Sequence, residues 1–184
     1  MVHSHKLNRG DSLLVVVDVQ DKLLHAIHDW QTVLDNTIRM VKFAQALGVP
    51  VMVTEQYPKG LGPTNAQVRE LFPDFGAIEK TSFSCFGADG LHDVLLALEV
   101  KTLVLVGIEA HICVEQTAID ALARGYNVQI IYDAVGSRSL ENKELGINKI
   151  RQVGGIISGV EIALYEWLER AGTTEFKNIL PLIK

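Results

Sequence analysis

Short, continuously apolar runs alternate along this chain with stretches whose apolar positions return every three or four residues. Residues 13–17 (L-L-V-V-V) are apolar without a break, which predicts a strand buried on both faces rather than one with a wet side. Residues 31–47 read as a helix. Leu34, Ile38, Val41 and Gln45 mark one side, only the last polar, and Ala44 and Leu47 widen the stripe. Gly48 is placed to end it and Pro50 cannot continue it. Residues 51–54 form a second strand, and 55–64 (E-Q-Y-P-K-G-L-G-P-T), with two Gly and two Pro, a loop. Asn65 caps a short helix to about residue 72. A brief third strand starts at 77–78 and runs into Glu79 and Lys80. Further helices are predicted over 90–98, from about 112 to 124 with Gly125 as the stop, over 140–152 and over 160–170; strands are predicted over 103–107, 128–132 and 154–158. Residues 173–184 are given no element.

Strands alternating with helices imply an α/β fold: a six-stranded, mostly parallel sheet with helices on both faces, three layers in all, in one domain over residues 1–184. In such sheets ligands bind beyond the carboxyl ends of the strands, where the strand order switches. Three polar residues stand at such places. Asp18 follows L-L-V-V-V, Lys80 follows the A-I-E segment, and Cys113 lies in the first turn after L-V-L-V-G.

Those residue types make a coherent chemistry. A helix N-terminus and a nearby ammonium from Lys80 lower a thiol pKa. Asp18 can take the thiol proton and later return it to a leaving amine. Backbone N–H groups around residue 109 and Cys113 would form an oxyanion hole. Water would then hydrolyse the thioester.

Composition narrows the partners. With 48% hydrophobic and 21% charged residues the chain is an ordinary globular one. A net charge of −5 without a Lys/Arg cluster argues against nucleic acid. The longest apolar runs, 13–17 and 103–108, are too short to cross a bilayer. The N-terminal M-V-H-S-H-K-L-N-R-G-D lacks the apolar core of a signal peptide, so the expected compartment is the cytoplasm. Two cysteines do not make a disulfide scaffold in a chain of this length.

The segments L-L-V-V-V-D-V-Q, I-E-K-T-S-F-S, V-L-V-G-I-E-A-H-I-C-V-E-Q-T-A and A-L-A-R-G-Y-N-V-Q-I-I-Y-D-A-V-G-S-R together resemble the isochorismatase-like cysteine hydrolase superfamily, over roughly residues 13–165. That group includes nicotinamidases and N-carbamoylsarcosine amidohydrolase. The resemblance implies a Rossmann-like sheet of six parallel strands and an Asp18–Lys80–Cys113 triad. It also implies a cis peptide between Ile108 and Glu109 that aims the Glu109 N–H, with that of Cys113, into the oxyanion hole. The segment E-Q-Y-P-K-G-L-G-P-T resembles a subgroup of isochorismatase-domain proteins. Nicotinamidases carry a D-x-H metal motif after the second strand, where this chain has Glu55-Gln56-Tyr57, so neither metal nor cofactor is expected. Ala110 stands where relatives often have Thr. Isochorismatase itself cleaves a vinyl ether without the cysteine, so keeping Cys113 leans toward amide-like C–N cleavage of a small-molecule substrate. A binding or scaffold protein that has lost turnover, and a vinyl-ether hydrolase, are the alternatives. A homo-oligomer is expected from the relatives and from the apolar stretch 179–183.

Secondary candidates surround the three. Gln20 would orient substrate or cap the next turn. Gln56 and Tyr57 could line the pocket, and Phe83 and Phe86 could supply an apolar wall, with core packing as their competing role. His111 invites pairing with the thiol, though Asp18 and Lys80 already fill those roles. Cys85 reads as buried filler, Asp133 as a loop anchor through Arg138, and His3 and His5 as a surface pair.

Overall fold

The computed structural model describes residues 6–183; His3 and His5 lie outside them. In chain order the elements are β1 (Ser12–Val17), α1 (Asp21–Leu24), α2 (Trp30–Leu47), β2 (Val51–Gln56), α3 (Pro58–Leu61), α4 (Ala66–Arg69), β3 (Ile78–Lys80), a 3-10 turn (Cys85–Gly87) and α5 (Leu91–Ala97). There follow β4 (Thr102–Ile108), a π turn (Ala110–Val114), α6 (Glu115–Ala123), β5 (Asn127–Gly136), α7 (Leu140–Gln152), β6 (Ile156–Ser158), α8 (Val160–Leu168) and α9 (Thr174–Ile183).

The six strands form one sheet in the order β3-β2-β1-β4-β5-β6, each neighbouring pair parallel. The chain winds outward from β1 in both directions. The order reverses between β1 and β4, the place beyond whose carboxyl ends ligands bind in sheets of this kind. Along β1 the side chains alternate between two cores. Leu14 and Val16 pack with Met40 and Phe43 of α2, Trp167 of α8 and Ile179 of α9. Leu13, Val15 and Val17 pack with Leu91 and Leu95 of α5, Ala118 of α6 and Ile147 of α7. Apolar cover on both faces is why this strand reads as an unbroken apolar run.

Four expectations change. First, β2 runs on through Glu55 and Gln56, which pair with Glu79 and Lys80 of β3, and Pro58 opens a helical turn where a loop over 55–64 was expected. The strand's polar end is satisfied from within, since Glu55 Oε1 accepts from the Thr64 N–H at 2.7 Å and its hydroxyl at 2.8 Å. Second, β5 continues past Tyr132 to Gly136, because a register shift opposite Leu105–Gly107 absorbs the extra residues. Third, the chain after β4 starts to coil at Ala110, as a π turn that carries Cys113, before α6 proper. Fourth, residues 174–183 form a helix whose Ile179 is buried against α2, with Leu182 and Ile183 partly buried beside it. Within the apolar stretch 179–183, Ile179 is covered inside the molecule, while Leu180 and Pro181 stay exposed. Among the described residues no helix is long and apolar enough to cross a membrane.

Candidate functional site

Asp18 is the first residue past β1, turned out of the strand by a left-handed backbone (φ 55°). Its N–H still bonds the Thr54 carbonyl at 3.2 Å, which fixes it beside β2. Lys80 ends β3, two strands away, and its buried side chain reaches under β2 to place Nζ 2.6 Å from Asp18 Oδ2. The ammonium also donates to Gln56 Oε1 at 2.7 Å and approaches the carbonyls of Phe83 (3.2 Å) and Ser82 (3.3 Å). Asp18 Oδ1 accepts from the Thr54 hydroxyl at 2.7 Å. A buried ion pair stands only when its remaining valences are filled, and here both partners have theirs filled by protein.

Cys113, 4% exposed, comes from the π turn and lies close enough to Asp18 and Lys80 for both charges to act on its thiol. The structure therefore brings Asp18, Lys80 and Cys113 together. It reverses one expectation: burial pushes the Cys113 thiol up from its ordinary value, the negative charge of Asp18 adds to the rise, and Lys80 opposes it without prevailing. Desolvation of a thiolate outweighs a neighbouring ammonium that Asp18 already neutralises. At rest the sulfur keeps its proton.

The bond between Ile108 and Glu109 is not cis; no cis peptide occurs among the described residues. The chain turns instead on the backbone of Glu109 itself, left-handed at φ 55° and ψ 58°. Its carbonyl accepts from the N–H groups of Ile112 at 2.8 Å and Val114 at 3.4 Å and so sets the turn. Ala110 is fully buried within that turn.

Of the expected pocket residues, Gln20 is a brace. Its Nε2 donates to the carbonyls of Gln56 (3.0 Å) and Gly62 (2.6 Å), which uses both its N–H groups, and its Oε1 accepts from the Gln56 N–H at 2.8 Å. Gln56 holds Lys80 and donates to the Thr81 carbonyl at 2.9 Å. Tyr57, 53% exposed, walls a cleft of about 320 Å³ with Lys59, Glu79, Lys80, Thr81 and Asp89. Phe83 is 54% exposed and contributes only its carbonyl. Phe86 lies under the Arg124 guanidinium, 4.6 Å from the ring centre.

His111 pairs elsewhere, with Nδ1 3.0 Å from Ser137 Oγ and 3.6 Å from Glu109 Oε2. Asp133 does not hold Arg138; it accepts from the Val160 N–H at 2.9 Å and caps α8, while Arg138 Nε reaches Glu109 Oε1 at 2.6 Å. Cys85 is buried filler with an address: its thiol faces the Thr54 hydroxyl at 3.9 Å and is raised by burial first and by Asp18 next. Thr54 escaped the sequence reading, though its position as the polar end of V-M-V-T on the strand beside β1 was the available signal. Among the described residues no three His, Cys, Asp or Glu side chains gather as a metal site.

Residues 12–162 match the isochorismatase domain. The chain belongs to the isochorismatase family. Within that family it is similar to the isochorismatase domain-containing subgroup. It is 34% identical over 179 residues to isochorismatase domain-containing protein 2 of Bos taurus, covering 95% of this chain and 84% of that one. It is 37% identical over 177 residues to the secreted isochorismatase effector Isc1 of Phytophthora sojae, covering 94% and 84%. The structure described as MAR1 ribonuclease from Caenorhabditis elegans superposes with a TM-score of 0.90 at 35% identity, covering 97% of this chain and 92% of that one. The Escherichia coli YcaC product, described as an octameric hydrolase of unknown specificity, superposes with a TM-score of 0.86 at 20% identity over 98% and 94%, a likeness of fold alone.

Proposed function

We propose that this isochorismatase-family chain is a cysteine-dependent hydrolase that cleaves an amide-like C–N bond of a small molecule through a thioester. The observation that carries the reading is the meeting of Asp18, Lys80 and Cys113, from three separate strand ends, in one buried cluster. Asp18 takes the Cys113 proton as sulfur attacks the acyl carbon. The oxyanion is received by backbone N–H groups of the turn between Glu109 and Cys113. Asp18 returns the proton to the departing nitrogen, then accepts one from the water that attacks the thioester and passes it to the Cys113 sulfur as that bond breaks. Lys80 keeps the carboxylate in place and balances its charge throughout. Because the resting thiol is neutral, nucleophile and base are activated together when the substrate arrives.

A ribonuclease reading, suggested by the description of the C. elegans relative, is less well supported. The net charge of −5 does not suit a polyanion, and phosphodiester cleavage has no use for a thioester. The scaffold reading draws support from the protonated, 4% exposed thiol.

Turnover separates these. A library of small amides should yield hydroxamates with the wild-type protein in hydroxylamine, and Cys113→Ala should yield none. Undiminished product from Cys113→Ala would overturn the mechanism, and none from either protein would favour the scaffold.

The same reading includes a homo-oligomer, supported by the octameric description of the E. coli relative and by exposed Ile162 and Tyr165 on α8 and Leu145 on α7. A monomeric mass in light scattering would count against it. It also includes a cytoplasmic location, which suits two free, buried thiols.

A further inference from the structure

We propose that Arg138 is a positioning residue for Cys113, acting through the carboxylate of Glu109. The inference rests on the hydrolase reading for its functional meaning.

Glu109 holds a backbone conformation that a non-glycine residue seldom adopts, at the junction where β4 gives way to the nucleophile's turn. Such a residue stays put only if its surroundings hold it. Its side chain is 6% exposed and a buried carboxylate requires a partner. Arg138 Nε supplies one at 2.6 Å. The second oxygen, Oε2, is buried without a hydrogen bond; its nearest cationic candidate is His111 Nδ1 at 3.6 Å, which is engaged with Ser137 Oγ. Arg138 is therefore the one strong anchor of this carboxylate among the described residues.

The link to sulfur runs through the backbone. The Glu109 carbonyl receives the N–H groups of Ile112 and Val114, the residues on either side of Cys113. On the opposite side α7 closes on the turn at Gly146, where a Cβ would stand 2.6 Å from His111 Cα and 2.8 Å from the Ala110 carbonyl oxygen. The turn is thus gripped between α7 and the Glu109–Arg138 pair. Without the guanidinium, the carboxylate would swing toward water, Glu109 would leave its strained conformation, and the carbonyl that sets the height of Cys113 would move with it.

One feature makes this separable from a general loss of stability. The Arg138 side chain is 62% exposed, so a small cation from solution can take its place. The test is the pH dependence of iodoacetamide alkylation of the full chain, read separately at Cys113 and Cys85 by peptide mass. Burial is the main cause of the raised Cys113 value, so loosening the turn must lower it toward the ordinary 9.0. In Arg138→Ala the Cys113 profile should move to lower pH, read as about tenfold faster alkylation at a fixed pH below the midpoint, while that of Cys85 stays. Guanidinium chloride, far below denaturing concentration, should restore it. Glu109→Ala should show the same fall without recovery. An unmoved Cys113 profile, an equal shift of both thiols, or no recovery with guanidinium would each overturn the assignment. No substrate is needed, so failure here leaves the hydrolase reading standing, and failure of the amide library leaves this result intact.

Discussion

Gly107 of β4 lies so close to Val17 of β1 that a Cβ on the glycine would stand 2.2 Å from the Val17 carbonyl oxygen and 2.7 Å from its nitrogen. The glycine also has φ +117°, which side-chain-bearing residues rarely adopt. This approach brings the end of β1, and hence Asp18, against the start of the Cys113 turn. Gly107→Ala must either part the two strands or strain both. We expect a loss of about 3 kcal/mol in urea unfolding. An unchanged midpoint would show that the strands can separate without cost.

The Lys80–Asp18 pair predicts strong non-additivity. Lys80→Met leaves a buried carboxylate without its cation, and Asp18→Asn leaves a buried ammonium with neutral acceptors alone. Each should cost about 3–5 kcal/mol. The double variant removes both charges and should cost clearly less than the sum. Additive costs in the double-mutant cycle would mean the two groups are held independently.

Thr54→Val keeps the shape of the side chain and removes the hydroxyl that donates to Asp18 Oδ1 at 2.7 Å. Hydrogen bonds to charged groups contribute about 1.5–3 kcal/mol, and that is the expected loss in denaturant titration. Turnover should fall as well, because Asp18 gains freedom to turn from the thiol. Wild-type stability and rate together would remove Thr54 from the site.

Alkaline pH gives a signed prediction. The folded Cys113 and Cys85 thiols both titrate above their ordinary value of 9.0. The fold therefore retains their protons after the unfolded chain has released them. The stabilisation is fully present below pH 9 and is lost as pH rises above it, by about 1.4 kcal/mol per pH unit for each thiol. Cys113→Ala should flatten that decline when unfolding free energy is followed from pH 8 upward. An equally steep decline in the variant would show that Cys113 does not carry the effect.

The meeting of Asp18, Lys80 and Cys113 was legible because each stands at or just past an apolar run at a strand's carboxyl end, and parallel strands send those ends to one rim. The partners were not legible to the same degree. Gln20, Phe83 and Asp133 also follow strands or precede turns, but whether a side chain faces the crevice depends on the turn's backbone. Gln20 is drawn back by the residues around Gly62, and Asp133 is claimed by α8 because β5 runs on past it. The direction of the Cys113 shift was missed for a related reason. A helix start and a lysine can be read from letters, whereas the depth at which the turn sits comes from α7 closing on it at Gly146. Helix α9 was missed because Pro181 lies within it.

The outward winding of the sheet from β1 also bears on synthesis. A nascent chain that has emerged as far as β3 holds both Lys80 and Asp18, yet Cys113 is 33 residues further along. Until β4 slots in against β1, the ion pair lies at the raw flank of a half-built sheet. Translation must deliver the second half before the buried cluster of Asp18, Lys80 and Cys113 can be closed.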